Sequence, residues 1–359
     1  MKPRALHASL RPLWLLAWVL LPAGGASGGP ILNAAHRGYS AAFPENTLVA
    51  QDAAFDAGAD LVEIDLQRSA DGAVVIFHDD SLDRTSDGSG PVAGHTLAEL
   101  QQLDAGSWFG PQFAGEPIPT LDQALSAAIG RGPLLLDQKS GLLFGAEIAS
   151  ALTATGFGVD ELWVTAWEVA QVADIRTHVP EATILWTALS PDDPTPEDWT
   201  DFLDAMTLVG VDGFSLVDLF LLNSPFAPDF IAQAQARGFH VFAWNLFRAT
   251  ANEMQRAVDA GLDGYIVDDP ATFAAVVPEP SPGLLLGTLV VGLILQRAGA
   301  SLRRLAKNPR ISSTAARVGS PSRSIRWSVT TLWGRTGVPG RAHASGSTRP
   351  WKRSPRAAS

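Results

Sequence analysis

Between residues 31 and 276 the chain alternates short apolar runs of β type with amphipathic stretches of helical type. The runs are ILNAA, LVEIDL, AVVIF, PLLLD, LWVTA, TILWTAL, VDGFSL, HVFAW and GYIV. Stretches such as TLVAQDAAFDAG and FIAQAQARG separate most of them. Alternating strand and helix demands a parallel sheet covered by helices, because each crossover must travel back over the sheet before the next strand begins. Several helical stretches end in a glycine, at Gly58, Gly156, Gly238 and Gly261. A glycine just past the last turn supplies the left-handed C-cap. About eight such units within roughly 245 residues fit a closed (β/α)8 TIM-type barrel better than an open doubly wound sheet. No Gly-x-Gly-x-x-Gly follows the first strand, which argues against a dinucleotide fold.

Nine runs are one too many for that barrel. The link between LVEIDL and AVVIF is a short turn around Asp71-Gly72, with no room for a crossover helix. Either that pair departs from the simple barrel or one run is not a barrel strand. Residues 83–120 form an insertion of loop character with one short helical pattern, TLAELQQL. Long loops inside compact domains tend to be functional. This one directly follows the His78-Asp79 element and is placed to cap a site there. SPDDPTP, from Ser190 to Pro196, reads as a surface loop.

The flanks differ from this body. Lys2, Arg4 and Arg11, the apolar LWLLAWVLL from Leu13 to Leu21, and the small residues of AGGASGG read as a secretory signal over residues 1–28. The body from Pro30 to Val277 carries 9 Lys or Arg against 36 Asp or Glu, whereas Arg297 to Ser359 carries 14 Lys or Arg and no acid. An acidic body disfavours nucleic acid and suits a collector of divalent cations. The absence of cysteine excludes disulfides and thiolate metal sites. After VPEPSP, the run Gly283–Leu295 would make about 20 Å of helix, short of a hydrocarbon core of roughly 30 Å. Arg297, Arg303 and Arg304 follow it. The order Pro-Glu-Pro, apolar run, arginines resembles the PEP-CTERM sorting signal, which implies envelope sorting and processing machinery acting on residues 277–304. Residues 305–359 are rich in Ser, Arg, Gly, Pro and Ala without periodicity and read as a disordered basic tail.

Polar residues gather at the carboxyl ends of the runs: His36-Arg37-Gly38, Glu63 with Asp65, His78-Asp79, Asp137 with Lys139, Trp244-Asn245 and Asp268. In a barrel this is the face where active sites are built. A lone strand-end histidine is more often structural, and carboxylates at i and i+2 usually mark a solvated face. The intervening Ile64 and the apolar flanks oppose that second reading. Paired carboxylates with a third acid from another strand make a hard oxygen site suited to Ca²⁺ or Mg²⁺. Two histidines beside it can act as base and acid on a phosphodiester, and a nearby Arg and Lys can bind phosphoryl oxygens and offset developing charge.

The run from AHRGYSAAFPENT through EIDLQRSADGAVVIFHDDSLDRTSDGSG resembles the N-terminal signature of the glycerophosphodiester phosphodiesterase family. TLAELQQLDAGSWFGPQFAGEPIPTLDQAL, LLLDQK, VFAWN and DGYIVDDP resemble its later blocks in the same order, from about Ala34 to Pro270. The resemblance implies a barrel over residues 30–276 with one divalent cation. It implies His36 and His78 as the catalytic pair and Glu63, Asp65 and Asp137 as metal ligands, Asp137 standing where the family usually has glutamate. It also implies Arg37 and Lys139 on phosphate, Trp244 lining the substrate pocket, and Glu45 on metal, on substrate or holding the loop. Products would be glycerol 3-phosphate and an alcohol, with the nucleophile either water or the glycerol 2-hydroxyl acting through a cyclic intermediate. The secretory signal and the sorting segment together imply export to the periplasm or cell surface, with transient membrane anchoring as a further option. Two other readings stand beside it. Asp137-x-Lys139 also resembles lysophospholipase-D- and sphingomyelinase-D-like barrels, and the scaffold also suits a non-catalytic surface binder. Hydrolysis of glycerophosphocholine against lysophospholipid separates these.

Overall fold

The computed structural model describes residues 31–139, 141–187, 199–245 and 248–277. The signal segment, the 190–196 loop, nearly all of the 277–304 sorting segment and the basic tail lie outside the described residues. Among the described residues there are nine strands: β1 (Leu32–Ala35), β2 (Leu61–Arg68), β3 (Val74–Ile76), β4 (Leu134–Gln138), β5 (Leu162–Ala166), β6 (Thr183–Trp186), β7 (Gly213–Val217), β8 (His240–Trp244) and β9 (Gly264–Val267). Parallel pairing runs β1-β2-β4-β5-β6-β7-β8-β9 and returns to β1, which closes the barrel.

The supernumerary run is β3. It pairs antiparallel with β2, Leu66 opposite Ile76 and Arg68 opposite Val74, as a hairpin outside the parallel ring. Gly72 turns this hairpin with φ 89°. The hairpin leads into the insertion, which has its own small core of Val75, Phe77, Leu82, Val92, Leu100, Ala105 and Ile118. The helical pattern there shortens to a single turn, Leu97–Leu100, started by a Thr96/Glu99 capping box. Below about three turns a helix depends on packing rather than propensity, and only Leu100 is buried.

The crossover helices begin and end where their caps place them. Thr47 caps Leu48–Asp56, Thr120 caps Leu121–Ala128 and Thr250 caps Ala251–Asp259. Gly58, Gly156, Gly238 and Gly261 all have the left-handed φ that the sequence reading required. No described helix is long and apolar enough to cross a membrane.

Side chains alternate between the helix-facing layer and the barrel interior. Ala34, Leu61, Leu135, Leu185, Phe242 and Ile266 form a separate buried cluster, one residue from each of six strands, with Trp163 packed against it. Gly264 leaves room for the Phe242 ring, since a Cβ there would lie 2.1 Å from Phe242 Cε1. Two residues further along each strand stand His36, Glu63, Asp137, Thr187, Trp244, Asp268 and Thr165. The strand period of two therefore stacks a polar layer on an apolar one, at the carboxyl end of the barrel.

Candidate active site

The His-Arg-Gly turn is shaped by its backbone. Arg37 has φ 55° and Gly38 φ 79°, and a Cβ on Gly38 would meet the carbonyl carbon of Ala50 at 2.6 Å. Holding a non-glycine residue in the left-handed region costs about 1–3 kcal/mol. Here the turn aims the Arg37 amide at Glu63 Oε2, 2.8 Å away. The Pro-Glu-Asn-Thr motif has an equally local logic. Thr47 caps the first crossover helix by accepting from the Ala50 amide at 3.3 Å, while its hydroxyl donates to the Pro44 carbonyl. Asn46, also left-handed at φ 60°, clamps Asp65 twice. Its Nδ2 donates to Asp65 Oδ2 at 2.7 Å, and its Oδ1 accepts from the Asp65 amide at 3.1 Å.

Glu63, Asp65 and Asp137 converge. One carboxylate oxygen from each lies within 4.8 Å of the others. Asp65 sits directly opposite Asp137 in the β2–β4 register, which explains why acids so far apart in sequence meet. Glu63 and Asp65 are buried. Asp137 is oriented by the Thr165 hydroxyl and, at 3.4 Å, by Trp167 Nε1. Lys139 donates to Asp65 and, at 2.7 Å, to Asp137. The shorter aspartate side chain at 137 thus still reaches the cluster.

Electrostatics separates the two acids of β2. Burial, then the neighbouring Asp65 and Asp137 charges, push Glu63 up to about 8. Burial also opposes ionisation of Asp65, but Lys139 and then Arg37 outweigh it and hold Asp65 far below the usual carboxylate range. Lys139 is raised in turn: burial works against its charge, and Asp65 and Asp137 overcome that.

Each histidine has its own carboxylate. His36 Nδ1 meets Asp268 Oδ1 at 2.7 Å, and the Ser40 hydroxyl steadies the same oxygen at 3.2 Å. Burial alone would lower the His36 pKa; the Asp268 hydrogen bond, followed by the charge of Glu63, turns the net shift upward. His78 Nδ1 meets Asp79 Oδ1 at 2.6 Å. In both, the engaged Nδ1 leaves Nε2 for proton transfer.

Arg37 reaches Asp65 at 3.3 Å and Glu45 at 2.8 Å. Glu45 stands between Arg37 and Arg84, and burial notwithstanding, those arginines hold it below its ordinary range. Glu45 thus ties the first loop to Arg37 and Arg84. Trp244 ends β8 on the interior side. Its Nε1 and the Thr187 hydroxyl are buried, and neither has a hydrogen-bond partner among the described residues.

The sequence marks the polar strand-end residues that gather here but not their supports. Asp268 and Asp79 were visible only as polar strand ends, and Asn46 and Thr165 carried no separate signal. Arg84, in the insertion, carried none either.

The comparisons agree with this geometry. The model of the glycerophosphoryl diester phosphodiesterase family matches residues 36–272. A glycerophosphodiester phosphodiesterase of Caldanaerobacter subterraneus subsp. tengcongensis is 32% identical over 247 residues, covering 68% of this chain and 96% of that protein. The structure of an Oleispira antarctica phosphodiesterase in complex with the product sn-glycerol-3-phosphate is similar at a TM-score of 0.59 and 29% identity, over 70% of this chain and 97% of that one. A glycerophosphodiester phosphodiesterase structure from Agrobacterium tumefaciens matches at 0.56 and 25% identity, over 67% and 98% of the two chains. With its closed parallel barrel, its carboxylate cluster and this match across residues 36–272, the chain belongs to the glycerophosphoryl diester phosphodiesterase family, and is thus a phosphoric diester hydrolase by descent.

Proposed function

We propose that this protein hydrolyses glycerophosphodiesters to glycerol 3-phosphate and an alcohol, using one divalent cation and the histidines 36 and 78. The observation that carries this reading is the carboxylate trio of Glu63, Asp65 and Asp137 beside two histidines that each rest on a separate aspartate. Three carboxylates form a hard donor set that fits Ca²⁺ or Mg²⁺. The raised Glu63 marks surplus negative charge of the kind a cation relieves. When bound, such an ion would polarise the phosphoryl group as a Lewis acid.

The chain's own groups account for the rest. Lys139 and Arg37 offer cations to the phosphoryl oxygens, with Arg37 held in place by Glu45. His36, whose protonated form Asp268 favours, donates a proton to the leaving alcohol as the P–O bond breaks. His78, held by Asp79, takes the proton from the nucleophile: either water, which gives glycerol 3-phosphate directly, or the substrate's 2-hydroxyl, which gives a cyclic phosphodiester that water then opens to glycerol 3-phosphate. Trp244 walls the pocket on the side of β8. The Trp244 Nε1 and the Thr187 hydroxyl are buried beneath that wall, so they would bond a polyol or an alcohol moiety only where binding opens them.

We also propose that the enzyme is exported, that residues 1–28 are removed, and that residues 277–304 are a sorting segment processed at the envelope. The tripartite N-terminus and the Pro-Glu-Pro, apolar and arginine sequence on either side of the barrel support this. N- and C-terminal mass analysis of the mature protein tests it: a cell-associated product still carrying residues 1–28 overturns export. The activity test is release of glycerol 3-phosphate from glycerophosphocholine, abolished by EDTA, restored by Ca²⁺ or Mg²⁺, and lost in His36→Ala. Full turnover by His36→Ala would sink the assignment. Faster cleavage of lysophospholipid would transfer the substrate to the lysophospholipase-D-like class.

A further inference from the structure

Arg84 belongs to the insertion, yet four of its hydrogen bonds end in the site. Nε and Nη2 donate to Asp79 Oδ2 and Oδ1 at 2.6 and 2.9 Å. Nη1 and Nη2 donate to Glu45 Oε2 and Oε1 at 2.9 and 2.8 Å. The guanidinium thus grips two carboxylates, each through both oxygens, a geometry that a lysine cannot reproduce. Both carboxylates are shared with groups central to the hydrolase reading. Glu45 Oε1 also accepts from Arg37 Nη1 at 2.8 Å, and Asp79 Oδ1 meets His78 Nδ1.

One planar group therefore connects the loop after β1 to the segment after β3, and connects Arg37 to His78 across it. The connection has an apolar companion. Phe43 of the first loop packs tilted against Phe113 of the insertion, ring centroids 5.5 Å apart, with Tyr39 beside Phe43 and Phe109 beside Phe113. Arg84 pulls Asp79 down to about 2, the Arg84 hydrogen bonds being the largest cause. Both carboxylates stay ionised across the working pH range, so the link does not loosen near neutrality.

We propose that Arg84 is a positioning residue for the hydrolysis: docking of the insertion sets His78 through Asp79 and Arg37 through Glu45 in a single contact. The proposal rests on the hydrolase reading above for its catalytic consequence, but not for the contact itself. Through His78 it bears on kcat, and through Arg37 on KM.

The test uses the full chain with glycerophosphocholine and a saturating divalent cation. Asp79→Asn is expected to lower kcat with little change in KM, and Glu45→Gln to raise KM more than it lowers kcat. Arg84→Ala is expected to do both, with kcat falling on the order of 10–100-fold, the range typical of groups that orient a reacting side chain. Arg84→Lys, which keeps the charge and is the gentler change for folding, should recover less than a tenth of wild-type kcat/KM. The kcat losses of Arg84→Ala and Asp79→Asn should not multiply in the double variant, because one acts through the other. Wild-type turnover by Arg84→Lys, or fully multiplicative losses, overturns the proposal. A second readout needs no activity: amide exchange in Arg84→Ala should rise in both 37–46 and 79–90. Unchanged exchange in 37–46 overturns the contact. If the wild-type protein hydrolyses no glycerophosphodiester, the hydrolase reading fails, and the exchange result alone judges the link.

Discussion

The barrel interior holds two layers built from the same strands, and they have opposite chemistry. The lower layer, Ala34, Leu61, Leu135, Leu185, Phe242 and Ile266, is buried and apolar. The upper layer, two residues later on each strand, holds His36, Glu63, Asp137, Thr187, Trp244 and Asp268. The lower layer gains free energy from burial alone, on the order of 1.5–3 kcal/mol per large side chain. The upper layer works against burial. Glu63 and, two residues further along β2, Asp65 are both buried; Lys139, Arg37 and Asn46 are among the groups that offset the cost for Asp65, whereas burial pushes Glu63 up to about 8. A stable floor thus carries a strained roof, and the division predicts that substitutions in the two layers fail in different ways.

The largest expected effect lies in the floor. Phe242→Ala should lower unfolding free energy by about 3–5 kcal/mol, read from denaturant midpoints, while the folded fraction keeps its cation affinity. A matching loss of cation affinity would erase the distinction between layers.

In the roof, His36→Ala should lower kcat by about 10²–10⁴-fold, with the melting temperature changed by no more than a few degrees. A collapse of stability instead would make His36 part of the floor.

A subtler difference comes from pH. Glu63 is raised in the fold from an ordinary value of 4.5 to about 8. Its contribution is therefore fully present below about 4.5 and lost as pH rises through 8. Cation-free protein should lose stability over that window, a saturating divalent cation should flatten the loss, and Glu63→Gln should remove it. The same linkage makes cation binding release protons below pH 8, measurable as a buffer-dependent heat. A cation-free stability that rises steadily from pH 5 to 8 would contradict the Glu63 environment.

The smallest effect is expected at the roof's neutral side. Trp244→Phe keeps the ring bulk but removes the unpartnered Nε1, and should raise KM for glycerophosphocholine a few-fold, about 1 kcal/mol, with kcat nearly unchanged. A KM identical to wild type would remove the indole N–H from substrate recognition.

Much of the roof was legible because its residues are punctuation on apolar runs. His36, His78, Glu63, Asp65, Asp137 and Lys139 stand at or near the ends of β-type segments, and strand-end polarity is local information. The i, i+2 spacing of Glu63 and Asp65 also placed both on one side of β2. The supports were not legible, because their partners are remote: Asp268 is 232 residues from His36, and Arg84 is 39 from Glu45. The ninth run was readable as an anomaly, but its direction was not. A five-residue link, 69–73, forbids a crossover, yet only the pairing of Leu66 with Ile76 shows the run folded back on β2.

By itself, the sequence determined the alternation of strand and helix, the capped helix ends and the layer each interior side chain joins. These follow from periods of 2 and 3.6 and from residue-specific backbone limits, all of which act over a few positions. Tertiary structure alone decided which charged groups share a partner. Closing the ring brings β9 beside β1 and so Asp268 to His36, and the β2–β4 register sets Asp65 against Asp137. Docking of the insertion brings Arg84 to Glu45. Coulomb interactions and hydrogen bonds depend on distance in space, and distance in space is fixed only when the barrel closes.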